Sequence, residues 1–241
     1  DLTKRAEILN EARLSLINSG ASREEIDNIE NKIASPPRKS NLSDKLIDLS
    51  KHYNASLFHY SNWHAGSENF DLRFLPEKYK GPIDFDLRGV IQLNSGLDDD
   101  GKTANEYGGV TMNYKKFPNS VKTIKIDSKA QKAHFLVGAI FGHSGTTGET
   151  AIKVIFNYSD GSKAEMDIKA QQDIFDWWSV GNAEKIPSEN IGFLGENNLG
   201  NKRFLQKPIW INPHPEKIIS HIDLNSGLIK MAPFVVAITI E

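Results

Sequence analysis

The sequence predicts a mainly β fold, an antiparallel jelly-roll β-sandwich preceded by a short N-terminal helical hairpin. Three observations predict it. Apolar residues recur at helical spacing up to about residue 34 and at period two from about residue 42 onward. The alternating runs are separated by loops rich in Gly, Asn and Pro. Strand and helix patterns do not alternate as they would in a parallel sheet.

The helical part comes first. Leu9, Ala12 and Leu16 recur on one face, flanked by Ala6 and Ile17, and Gly20 in "NSG" supplies a stop. "SREE" then places Ser22 three residues before Glu25, a capping box, and Ile26, Ile29 and Ile33 follow on one face until Pro36 and Pro37 end the helix. Two such helices bury too little to form a core alone, so they dock on the β body or pair with another part of a longer protein. The expected division is a helical hairpin over 1–34, a linker over 35–41 and a β-sandwich over 42–241.

Within the body, "FDLRGVIQL" sets Phe85, Leu87, Ile91 and Leu93 on one side and Asp86, Arg88 and Gln92 on the other. The clearest element is "AIKVIFNYSDGSKAEMDIKA". Ile152, Val154, Phe156 and Tyr158 alternate, Asp160-Gly161 turns, and Ala164, Met166 and Ile168 alternate back. "AHFLVGAIF" is apolar on both faces and reads as a strand inside the sandwich. "RFLQKPIWIN", "KIISHIDL" and "PFVVAITIE" complete the set.

Composition narrows the function. A net charge of −2 spread over 241 residues gives no basic surface for nucleic acid or an anionic membrane. The clusters "PPRK", "YKK" and "NKR" are short and read as solvated loops. With no cysteine, disulfides, zinc–thiolate sites and thiol catalysis are excluded. A chain that begins at Asp1 rather than Met reads as a processed product.

Catalytic patterns fail on inspection. "EMDIK" sets Glu165, Asp167 and Lys169 on one strand face, but Lys169 stands where a glycosidase needs its second carboxylate. That face reads as an alternating-charge solvent surface. "LDDDG" offers Asp98, Asp99 and Asp100 without the alternate spacing of a calcium loop, so no cofactor is indicated, although a structural Ca²⁺ held by loop carbonyls would leave no pattern. The seven histidines include no H-E-x-x-H or H-x-H, and His134 reads as a hydrogen-bonded core histidine. "GHSGTTG" has no lysine placed to cradle phosphate, and no G-x-S-x-G occurs. The chain is therefore read as non-enzymatic.

Aromatic clusters remain. Sugars stack their C–H faces on Trp or Tyr while polar side chains take the hydroxyls. Two stretches have that composition: Tyr60, Asn62, Trp63 and His64 in "YSNWHAGSENFD", and Asp176, Trp177, Trp178 and Asn182 in "DIFDWWSVGN". The alternative for the twin tryptophans is that they plug the ends of the sandwich. In a strand, adjacent residues face opposite ways, so at most one of them would be core.

"DLSKHYNASL…NWH", "FDLRGVIQL", "AHFLVGAIFG", "VIFNYSDGS", "DIFDWW", "INPHPEKIISHIDLNSG" and "APFVVAITIE" occur in this order over residues 42–241. Together they resemble an uncharacterised galactose-binding-like jelly-roll domain of multidomain bacterial proteins, attached to anti-sigma-factor-like regulators or to polysaccharide-acting proteins. The resemblance implies that Asp86, Arg88, Asp176, Trp177, Trp178, Asn212 and Pro213 belong to the family's pattern, with an Asp86–Arg88 ion pair anchoring the "DWW" loop. "GAIFGHSGTTGET" departs from that pattern. The resemblance further implies a periplasmic or extracellular setting. The aromatic clusters are read as the ligand surface of a carbohydrate-binding module that takes a polysaccharide or oligosaccharide; the alternative, favoured by the polar helical leader, is the extracytoplasmic sensory domain of a membrane-anchored regulator. Through the helical hairpin, either would contact other domains of its parent chain.

Overall fold

A computed structural model describes residues 2–22, 25, 35–58, 71–95, 117–141 and 147–241. The protein is mainly β, with two antiparallel sheets and an N-terminal helix. In chain order the strands are β1 (Ile91–Gln92), β2 (Ser120–Ser128), β3 (Lys132–Ile140), β4 (Thr150–Tyr158), β5 (Lys163–Lys169), β6 (Ile191–Glu196), β7 (Lys202–Gln206), β8 (Ile209–Ile211), β9 (Ile219–Ser226) and β10 (Ala232–Ile240). The larger sheet runs β1-β10-β3-β7-β6, with β8 also on β3, and the smaller runs β2-β9-β4-β5.

The β4–β5 hairpin forms as its alternation dictates. Phe156 faces Ala164, Val154 faces Met166 and Ile152 faces Ile168, while Gly161 takes the positive φ (84°) that its turn requires. On the outer face Lys153 pairs with Glu165 at 2.8 Å and with Asp167 at 3.4 Å, a solvated charge ladder. Inward, Ile152, Val154 and Phe156 meet Phe135 and Val137 of β3 and Ile222 and Leu224 of β9. Trp210 of β8 stacks on Phe156 with ring centroids 3.5 Å apart. Each such side chain contributes about 1.5–3 kcal/mol by leaving water.

Strand β3 is buried at every position after Lys132, and β10 is buried throughout, because the larger sheet is covered on both faces. One face meets the smaller sheet. The other is sealed by Leu57, Leu72, Phe74 and Leu75, which pack on Leu136, Phe234 and Leu205. Between Val235 and Ala237 the β10 register shifts, so Val236 and Ala237 both turn to the second face while Val235 and Ile238 keep the first.

Helix α1 spans Leu2–Asn18 and ends on Gly20 (φ 78°), with Gly20 N–H donating to Ile17 O and Ala21 N–H to Leu16 O. The capping box is made: Ser22 N–H donates to Glu25 Oε2 at 2.8 Å and Glu25 N–H to Ser22 Oγ at 3.3 Å. Residues 26–34, the rest of the expected second helix, lie outside the described residues. Among the described residues, the body uses the first half of the α1 stripe. Ala6 and Leu9 bury against Phe58, whereas Ala12 and Leu16 are half-buried and Ile8, Leu14 and Ile17 are exposed.

"FDLRGVIQL" departs from expectation. Only Ile91–Gln92 is strand, and residues 85–88 invert the usual rule: Asp86 and Arg88 are buried while Phe85 and Leu87 are half-buried. Arg88 grips Asp86 through Nε at 2.7 Å and Nη2 at 2.9 Å, and Nη2 also reaches Asp48 at 2.8 Å. Arg38 donates to Asp86 at 3.1 Å and to the Leu46 carbonyl at 2.6 Å, and Arg88 Nη1 donates to the Pro36 carbonyl. The ion pair expected to anchor the "DWW" loop instead clamps the linker to the body. Arg38 belongs to "PPRK", so that cluster is not a solvated loop.

Candidate functional site

The segment Phe175–Trp177 fills a gap in the larger sheet. Strands β3 and β7 pair directly at Val137 and Gln206; beyond that point the segment lies between them. Ala139 N–H donates to Phe175 O, Trp177 N–H donates to Ala139 O, and Phe204 N–H donates to Trp177 O, at 2.9–3.2 Å. Gln206, fully buried, accepts the Phe175 N–H on its Oε1 at 3.1 Å. Trp177 therefore sits on backbone fixed from both sides, and Trp178 directly follows it.

Their side chains part ways. Trp177 is 1% exposed and packs among the residues that seal the second face of the larger sheet. Trp178 is 39% exposed. It follows a turn in which Asp176 Oδ1 accepts the Trp178 N–H at 3.0 Å and Asp176 O accepts the Ser179 N–H. A ligand has no access to the Trp177 ring, so Trp178 is the member of the pair with surface to offer. Its indole is tilted against Trp177 at 5.7 Å between centroids.

Arg203 completes the arrangement. Its guanidinium carbon lies 4.8 Å from the Trp177 ring centroid and 5.4 Å from that of Trp178, close enough for cation–π attraction to both. The residue is 5% exposed. It belongs to "NKR", a cluster expected to be a solvated loop, and instead stands on β7. The usable signal was period two: Arg203 precedes Leu205 by two positions and shares its buried face. Behind it, Asn197 closes the β6–β7 turn by accepting the amides of Leu199 and Asn201, and Lys78 donates to the Asn197 carbonyl at 2.8 Å.

Asn182 lies in the 3-10 helix Val180–Lys185, half-buried, and its side-chain amide makes no hydrogen bond within the described residues. Tyr60, Asn62, Trp63 and His64 lie outside the described residues, as do Asp98, Asp99 and Asp100 and the glycine-rich 142–146 stretch. The Leu72 N–H to Leu57 O bond joins the chain on either side of the undescribed stretch 59–70, next to the buried Asp71–Arg73 pair, joined at 2.6 Å.

Other residues singled out by sequence are structural. Asn212 accepts the Tyr158 hydroxyl at 2.6 Å and donates to Ala130 O at 2.8 Å. His134 is a buried core histidine whose Nε2 bonds Glu241 at 2.9 Å; since the carboxylate only accepts, Nε2 carries the proton. Glu165 is exposed and paired with Lys153, and Asp173 accepts the Lys169 N–H. Among the described residues no group of three or more His, Asp or Glu is placed to hold a metal, and no helix is long and apolar enough to cross a membrane. No family model, curated protein or solved structure matches the chain.

Proposed function

We propose that the protein is a non-catalytic carbohydrate-binding module of galactose-binding-like, jelly-roll type, exported to the periplasm or cell exterior, in which Trp178 stacks on the C–H face of a sugar ring. The observation that carries this reading is a large aromatic ring left 39% exposed directly after a backbone segment, Phe175–Trp177, that is hydrogen-bonded to the strands on both sides. A platform that is already rigid loses little entropy when a flat ligand settles on it. The side-chain amide of Asn182, unbonded among the described residues, and the carboxylate of Asp176 are the groups next in sequence able to take hydroxyls, with Tyr60, Asn62, Trp63 and His64, outside the described residues, as a second candidate set. Such sites bind weakly one at a time and gain from repetition within a parent chain.

The test is titration with a panel of soluble polysaccharides, followed by tryptophan fluorescence, for the parent protein, Trp178→Ala and Trp63→Ala. A saturable shift lost in a folded Trp178→Ala variant supports the reading. A shift lost only in Trp63→Ala moves the platform to the Trp63 set, and no shift with any glycan overturns the reading.

A second reading is favoured by α1, whose Ile8, Leu14 and Ile17 are exposed: an extracytoplasmic sensory or interaction domain of a membrane-anchored regulator, with the helix as its contact. Loss of glycan binding across the whole panel would bring that reading forward.

A further inference from the structure

Lys207, 3% exposed, is the one buried lysine among the described residues and lies in the short break between β7 and β8. Its N–H donates to Asn190 O at 2.6 Å, and beside it Phe135 N–H donates to Pro208 O. The register places its side chain. Val137 faces Gln206 and His134 faces Ile209, so Lys207 stands opposite Leu136 on the second face of the larger sheet, with His134 one diagonal away. A lysine this deep is ordinarily paired. Here the side-chain nitrogen makes no hydrogen bond or ion pair, and it is not among the enclosed, unpartnered atoms, as His134 Nδ1 is, so its tip reaches solvent. We infer that Lys207 captures a small unbranched aliphatic aldehyde as an imine.

Position selects the chemistry. Burial holds the Lys207 amine below the ordinary lysine value; Glu241 and Glu189 pull it upward, and Lys132 adds to the fall. Neither carboxylate pairs with it, and Glu241 is engaged by His134 Nε2. His134, held below 6.5 by its own burial, adds no charge at neutral pH. An amine kept neutral is a nucleophile. Its lone pair attacks the carbonyl carbon of an aldehyde, both nitrogen protons leave with the carbonyl oxygen as water, and a C=N bond replaces C=O without any further reactant. The product is uncharged, as the setting requires. A carboxylate or phosphate on the ligand would meet the same desolvation that opposes the ammonium. The opening sets the size: a residue 3% exposed admits a slim chain at its tip, not a sugar ring or a branched carbonyl. Leu136 and Ile209 beside it offer that chain apolar surface. The site is separate from the Trp178 surface in place and chemistry and does not rest on it.

Propanal is the probe, with cyanoborohydride to fix the imine as a secondary amine, on the full chain at neutral pH; peptide mass spectrometry reads each lysine. Exposure alone would make Lys207 the last lysine to react. The expected result is the reverse: modification at least about tenfold faster than at the exposed Lys122, Lys129 and Lys163, the order expected when burial favours the neutral amine. Denaturing urea should abolish that advantage, and pivaldehyde, branched beside its carbonyl, should never show it. This comparison uses the unmodified protein and so stands whether or not a variant folds. Without reductant, propanal carrying carbon-13 at the carbonyl should give one imine resonance in the native protein, absent from Lys207→Met. Modification of Lys207 no faster than the exposed lysines, an advantage that survives in urea or extends to pivaldehyde, or an imine resonance that persists in folded Lys207→Met would overturn the inference.

Discussion

Arg203 holds its guanidinium 4.8 Å from the ring of Trp177, inside the protein, with 5% of the arginine and 1% of the tryptophan exposed. The same guanidinium is 5.4 Å from Trp178, so one cation backs two indoles of opposite fate. Trp177→Ala should destabilise the protein by about 3–5 kcal/mol, the usual cost of an emptied aromatic core site, and Trp178→Ala by less than about 1 kcal/mol. Urea denaturation followed by circular dichroism measures both. Equal losses would mean that Trp178 is as structural as its neighbour.

The Asp86–Arg88 pair makes a second prediction. Asp86→Ala leaves two guanidiniums, Arg88 buried and Arg38 partly so, without their shared carboxylate and should cost about 3–5 kcal/mol. Asp86→Leu/Arg88→Met, which removes charge from both sides, should be less harmful than Asp86→Ala. A double variant at least as unstable as the single one would show that the pair matters for its hydrogen bonds to Asp48, Ser50 and Pro36 rather than for its own balance of charge.

His134 predicts a pH dependence. Burial holds its imidazole below the ordinary value of 6.5, more strongly than Glu241 raises it, with Lys207 and Lys132 adding to the downward push. The native state therefore binds fewer protons here than the unfolded chain, and stability declines as pH falls below about 6.5 toward the native value. The Glu241 carboxyl is held below its ordinary 4.5 by the His134 bond, so its contribution is lost only under more acidic conditions. His52, also depressed by burial, acts in the same direction. Urea midpoints from pH 8 to 5.5 should fall less steeply for His134→Gln than for the parent; identical slopes would assign the effect to His52.

What the sequence disclosed follows from how local each signal is. The β4–β5 hairpin was legible because Asp160-Gly161 and two alternating runs are contiguous, and β3 because a run apolar on both faces has few places to go. The stretch 85–88 misled because alternation names two faces without saying which is buried; Arg38 and Asp48, distant in sequence, reverse the usual choice by pairing with the charged side. Trp177 and Trp178 were undecidable for a similar reason. Their fates are set by β3 and β7, which flank the segment, and by Arg203, which a short basic cluster disguised as surface.

Residues 35–41 have a mechanical consequence. As a free coil, a spacer of seven residues would let its ends wander by roughly 15 Å. Here the Pro36 carbonyl is held by Arg88, and Arg38 is fastened to both Asp86 and Leu46. The segment acts as a rigid coupling rather than a hinge, and a pull or twist applied at its Pro36 end arrives at the body undamped.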